Sequence, residues 1–295
     1  MSSPPHEIAP QRARSSPLAG SLLSAVRLLT IVPVPAAAPR ERDRGRQANR
    51  VEAAPETGAG ELHPRTGGGA IAAEAGEGEL GRSAAWFPLV GALLGGAAGG
   101  IRLLCQPLGP LPASALALAV MTALTGALHQ DGLADTADGL GARGGRQRRL
   151  AAMRDHAVGA FGVLALLWWG ILMLTTVASL HGLRAFDVLL VAGAVSRLAA
   201  VLHAALTRPA RSDGLGAAFD VSVHQAAAAS VLAAAIAVAT VGPTAGGVAL
   251  ASSLLVALTA SSLAKRALGG RTGDTLGATV ALSEVAACVA LLAIG

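Results

Sequence analysis

The stretch AVGAFGVLALLWWGILMLTTVASL, residues 157–180, runs for twenty-four positions without a charged side chain. A hydrocarbon core roughly 30 Å thick is crossed by about 20 apolar residues in a helix, so this segment is long enough to span a membrane. Working outward, similar runs occupy 85–106, 111–128, 186–206, 226–242, 245–264 and 275–294, and Gly242-Pro243 separates the fifth run from the sixth. In water these segments would leave several bare apolar helices exposed. The expected fold class is therefore all-α, a polytopic integral membrane helical bundle of about seven transmembrane spans.

Composition agrees with that reading. Charged residues make up 14% of the chain and hydrophobic residues 53%, where a soluble domain carries about 25% charged residues. The charges are unevenly placed, with nineteen of the forty-one in residues 1–84. Residues 1–40 read as an N-terminal tail followed by an interfacial helix, with Leu18, Leu22, Val26 and Leu29 on one face. Residues 41–84, rich in charge, Gly and short Ala tracts, read as a low-complexity disordered insert. Residues 85–295 form the transmembrane catalytic domain.

Topology follows from the basic residues. With seven spans, residues 1–84 and the loops 129–156, 207–225 and 265–274 share one side, which holds twenty of the twenty-three Lys and Arg. Positive residues are retained in the cytoplasm, so this side faces the cytoplasm of a bacterial cytoplasmic (cell inner) membrane. The arginine excess behind the sequence pI of about 10.8 is explained by topology, and no nucleic-acid partner is expected. Cys105 and Cys288 lack a C-x-x-C spacing and suggest neither zinc nor a redox pair.

Chemistry concentrates after the second span, in GALHQDGLADTADGLGARGGRQRRLAAMRDH, residues 126–156. Asp131, Asp135 and Asp138 stand at i, i+4 and i+7, within a roughly 60° sector of a helix. Three carboxylates so placed repel one another, which raises their pKa values or unwinds the helix. A divalent cation removes the conflict, and magnesium accepts a few carboxylates completed by water and phosphate oxygens. Gly132, Gly139 and Gly141 allow backbone to approach a ligand. Nearby arginines, among them Arg154, suit phosphate oxygens. His129 is a candidate base or ligand. Two further Gly/Asp/Arg loops carry Arg211 with Asp213, and Arg271 with Asp274. Arg197 and Glu284 lie inside apolar spans and call for a partner or a polar cavity.

The run from His129 through Asp131-Gly132-Leu133-Ala134-Asp135-Thr136-Ala137-Asp138-Gly139 to Leu140 resembles the signature of the bacterial cobalamin synthase family. The likeness continues at Arg154-Asp155, Gly159-Ala160-Phe161-Gly162, Arg211-Ser212-Asp213-Gly214 and Gly269-Gly270-Arg271-Thr272-Gly273-Asp274. The resemblance implies a transferase that joins adenosylcobinamide-GDP to α-ribazole or its 5′-phosphate. The products are adenosylcobalamin or its 5′-phosphate, and GMP. It implies magnesium as cofactor on Asp131, Asp135 and Asp138, with Arg154, Asp155, Arg211, Asp213, Arg271 and Asp274 completing the substrate site. The family's last span often carries two glutamates, whereas Ala281-Leu282-Ser283-Glu284 keeps only the second. An integral-membrane CDP-alcohol phosphotransferase is the nearest rival. Its D-G-x-x-A-R pattern fails at Asp135 and Thr136. A transporter would gather its acids mid-membrane, and here the aspartates gather in loops.

Overall fold

The computed structural model describes residues 17–31, 79–155 and 157–295; the expected tail 1–16 and most of the expected insert 41–84 lie outside the described residues. Every named element among the described residues is helical. They are α1 (Pro17–Leu29), α2 (Glu79–Ser83), α3 (Phe87–Leu104), α4 (Pro110–Leu124), α5 (Leu128–Gly141), α6 (Arg146–Ala152), α7 (Ala160–Ser179), α8 (Leu183–Leu206), α9 (Leu215–Ala218), α10 (Val223–Leu268) and α11 (Gly273–Ala293). Five helices have the length and composition to cross a membrane, counting Gly81–Leu104 as one, and six if α4 and α5 are taken as one broken span. The chain is a multi-pass membrane protein.

Seven spans were expected; one of the differences is α4, which at 15 residues counts only together with α5, and the other lies in α10. This helix has 46 residues but breaks at Gly242, whose φ of 81° lies in the left-handed region. Beyond the break a Cβ on Gly246 would lie 3.0 Å from the Ala237 backbone, so the chain doubles back. The expected spans 226–242 and 245–264 are the two arms of this one folded helix.

The central helix is α8. Its apolar window is 78% buried, against 22% for α7. It packs against α3, α10 and α11, and the contact with α3 is backbone on backbone. A Cβ on Gly91 would fall 2.1 Å from the Gly193 carbonyl, and one on Gly95 2.0 Å from that of Leu189. With no hydrophobic effect to join helices in lipid, such small-residue contacts supply the packing. Helix α7 instead presents Phe161, Leu164, Leu167, Trp168 and Ile171 outward, as a lipid-facing surface requires. Far from the acidic residues, Arg102 donates to the Leu180 carbonyl (3.2 Å) and Arg184 to that of Leu291 (2.9 Å).

Helix α1 does not simply lie on a membrane. Its Ser21, Ala25, Leu28 and Leu29 are buried, a face one residue round from the one expected. Trp86 Nε1 donates to Ser21 Oγ at 3.0 Å, and Ile31 N to the Leu124 carbonyl at 2.9 Å. Residues 79–84, expected within the insert, begin the helical run into α3.

Candidate functional site

The acidic residues share one helix, α5, as their spacing predicts, within the segment expected to join two spans. After α4, Gly126 and Ala127 adopt positive φ (60° and 57°), and the chain turns by 87° into α5. A left-handed alanine costs roughly 1–2 kcal/mol, so the bend is held by its surroundings. If α4 crosses the membrane, α5 runs along its face, outside the spans.

What holds α5 is close contact with α11. A Cβ on Gly132 would come 2.7 Å from the Asp274 carbonyl and 3.2 Å from Gly277 Cα. Gly132 was expected to let backbone approach a ligand; it lets two helices touch. Deeper in, Leu133 packs with Ala278 and Ala281. The N-terminus of α11 is fixed by a reciprocal cap, with Thr272 Oγ1 accepting from Thr275 N (3.2 Å) and Thr275 Oγ1 from Thr272 N (2.9 Å). This capping places Asp274 in the first turn, opposite α5, where a carboxylate also complements the helix dipole.

The result is a set of interacting acids. Burial pushes the Asp135 carboxyl up from 3.8 to about 7, with the charges of Asp131, Asp274 and Asp138 adding to the shift and Arg211 opposing it. Arg211 pairs with Asp274 at 3.3 Å. Asp138 is differently engaged: its two oxygens accept N–H from Gly159 (2.7 Å) and Gly162 (2.9 Å). It thereby caps the first turn of α7 from another helix. Asp131 is exposed and Asp135 half-buried.

The structure brings Arg211 and Asp274 to this face and spreads the other expected residues around it. Arg154 and Asp213 form an exposed forked pair, with Arg154 Nη2 3.1 and 2.8 Å from the two carboxylate oxygens. Asp155 accepts from Ala157 N at 3.1 Å in a local turn. Arg271 is 2% exposed and spent on carbonyls: Nε donates to Gly216, Nη1 to Ala204 and Thr207, and Nη2 to Phe219. It locks the 207–222 segment against α8. His129 faces away from the aspartates, buried in the wall of a cavity of about 40 Å³ shared with Leu28, Phe87 and Phe219. Burial, and then the Arg197 charge, hold its ring well below the ordinary range, so it is neutral.

One contact was out of reach of sequence pattern, and another was open between a partner and a polar cavity. Arg146, one of the arginines beside the acidic run that were expected to suit phosphate oxygens, donates to the Ala210 carbonyl. Glu284 closes on Arg197 in a fully buried ion pair 87 residues apart in the chain. The need of each charge for a partner was the signal available.

The family model described as cobalamin-5-phosphate synthase matches residues 69–292. The chain belongs to the cobalamin-5-phosphate synthase family. Similar family proteins include the adenosylcobinamide-GDP ribazoletransferase of Azorhizobium caulinodans, 39% identical over 227 residues, 72% of this chain and 85% of that one. The protein of that name from Klebsiella pneumoniae is 40% identical over 216 residues, covering 72% and 87%, and that from Geotalea daltonii 38% over 224, covering 74% and 89%. No solved structure matches this chain. Membership makes it a transferase of cobalamin nucleotide-loop assembly. The acidic helix, the α7 cap and the α11 N-terminus all fall inside the matched residues.

Proposed function

We propose that the face formed by α5 and the N-terminus of α11 joins adenosylcobinamide-GDP to α-ribazole, or its 5′-phosphate, with release of GMP. The observation that carries this reading is the convergence of Asp131, Asp138 and Asp274 on Asp135, whose carboxyl burial pushes up to about 7 with those three charges adding to the shift. Such repulsion is a standing demand for positive charge.

Magnesium meets that demand in kind. Among the described residues no three His, Cys, Asp or Glu side chains close on a single point as a metal cage. Magnesium characteristically uses one or two carboxylates plus substrate phosphates and water, and so fits a site that is not a cage. Asp131 and Asp135 would hold it, with Asp274 across the helix contact and Asp138 supporting from its cap. When bound there, it screens the diphosphate and stabilises the departing phosphate.

The chain's own residues supply the rest. Arg211 balances Asp274 and is placed to meet a phosphate oxygen. Arg154 exchanges Asp213 for substrate at the exposed rim. Asp138 and Arg271 position the two segments that flank the face, and Asp155 shapes the turn into α7. His129, buried behind the acidic face, supports the base of α5 from below. The loops around this face carry ten of the chain's twenty-three Lys and Arg, against two on the opposite side, so we place them in the cytoplasm.

The test is a product assay with purified chain in lipid nanodiscs. GMP should appear only with adenosylcobinamide-GDP, α-ribazole and magnesium together, and chelation should stop it. GMP release that ignored α-ribazole would make the protein a hydrolase and contradict the proposal.

A further inference from the structure

Between the end of α8, the segment that follows it and the end of α10 lies a cleft of about 540 Å³, lined in part by Leu206, Arg208, Asp220, Lys265, Gly269 and Arg271. No residue of α5 contributes to it. Its cations come from three separate segments: Arg208 after α8, Lys265 in the last turn of α10, and Arg271 before α11. The acid in the cleft, Asp220, lies 3.7 Å from Arg271. That leaves Arg208 and Lys265, both exposed, as charges with no acid paired to them among the described residues.

The rim is apolar, unlike the surroundings of a soluble-ligand site. Leu206 (43% exposed) lines the opening, and Leu254, Leu255 and Leu258 form an exposed apolar strip along the second arm of α10 towards Lys265. Cationic mouth and lipid-facing strip meet where spans α8 and α10 end and α11 begins, at a membrane boundary. A ligand matching both must carry a negative headgroup joined to apolar chains. We propose that this cleft binds the headgroup of an anionic phospholipid, its phosphate between Arg208 and Lys265 and its acyl chains along the α10 leucines. This inference is independent of the chemistry assigned to the acidic face.

The experiment uses the full chain in phosphatidylcholine nanodiscs titrated with phosphatidylglycerol, with Tm as readout. Wild type should show a saturable rise in Tm. Each basic residue near an anionic surface is worth about fivefold in affinity, so Arg208→Gln/Lys265→Gln should weaken the apparent lipid affinity by roughly 25-fold. Lys265→Arg should retain it. Arg266→Gln, one position outside the cleft, should respond as wild type does. If the double variant does not insert, Lys265→Gln against Lys265→Arg gives the same comparison. An equal response in wild type and the charge-neutralised variants would overturn the proposal. So would a Tm shift produced by GDP in pure phosphatidylcholine and lost in those variants, which would make the cleft a nucleotide site.

Discussion

Arg197 and Glu284 meet with side chains 0% and 2% exposed, whereas Arg154 and Asp213 meet with side chains 55% and 65% exposed. Both are arginine–carboxylate pairs on different helices or loops, yet their surroundings give them different uses. Inside the bundle neither partner can turn to water, so the pair joins α8 to α11 permanently. At the rim, water competes for both groups, and the pair can open when a phosphate offers Arg154 a better acceptor. Burial thus separates the charges that build this protein from those free to act.

Breaking the buried pair should have the largest effect. Removing one partner strands a buried charge, at a cost of roughly 3–5 kcal/mol. We expect Glu284→Leu or Arg197→Met alone to lose that much stability in thermal or denaturant unfolding in detergent. The double variant should recover much of the loss, because two apolar side chains leave no charge behind. A double variant as unstable as its singles would mean that the pair does more than neutralise itself.

The Asp138 cap comes next. Losing a charged acceptor from a helix N-terminus costs about 1–2 kcal/mol. Asp138→Ala should therefore speed hydrogen exchange at Gly159 and Gly162 while leaving the far half of α7 protected. Uniform exchange along α7 would show that lipid contacts alone hold the helix start.

Asp135 predicts a pH dependence with a defined sign. Its folded pKa is raised, so its contribution to stability is present below its ordinary value of 3.8 and is lost as pH rises to about 7. Without magnesium, Tm should fall across that window, and Asp135→Asn should flatten the decline. Magnesium competes with the same proton, so its apparent affinity should weaken by roughly tenfold per pH unit below 7. A metal affinity constant between pH 5 and pH 7 would remove Asp135 from the ligand set.

The exposed pair should matter least to folding. Arg154→Ala should change stability by less than about 1 kcal/mol, yet raise KM for adenosylcobinamide-GDP by roughly tenfold, the worth of one charge-assisted hydrogen bond. Unchanged KM would make the rim pair a surface contact only.

This division explains what the sequence could reveal. Spans such as 157–180 were legible because membrane thickness imposes a length on any apolar run. The register of Asp131, Asp135 and Asp138 was legible because helical geometry is local. The 87° turn at Ala127 was not, since it depends on α5 packing against α11, more than a hundred residues away. Gly132 shows the same limit: a glycine beside an acid reads as room for a ligand until the neighbouring backbone is known. Asp138 and Arg271 carried the chemistry of a substrate site in sequence, but their partners are backbone groups that pattern cannot assign.

The central claim is that Asp135 stands where magnesium and the diphosphate meet, and one comparison tests it directly. GMP release from adenosylcobinamide-GDP and α-ribazole should be followed across a magnesium titration for wild type, Asp135→Asn and Asp155→Asn, with membrane insertion checked in each. Asparagine at 135 keeps the shape and removes one charge. Its turnover should fall at least about a hundredfold, or roughly 2.7 kcal/mol of transition-state stabilisation, with partial recovery at high magnesium. Asp155→Asn, altered in a local turn, should stay within about tenfold of wild type. Near-normal turnover of Asp135→Asn at low magnesium would contradict the account and move the metal away from α5.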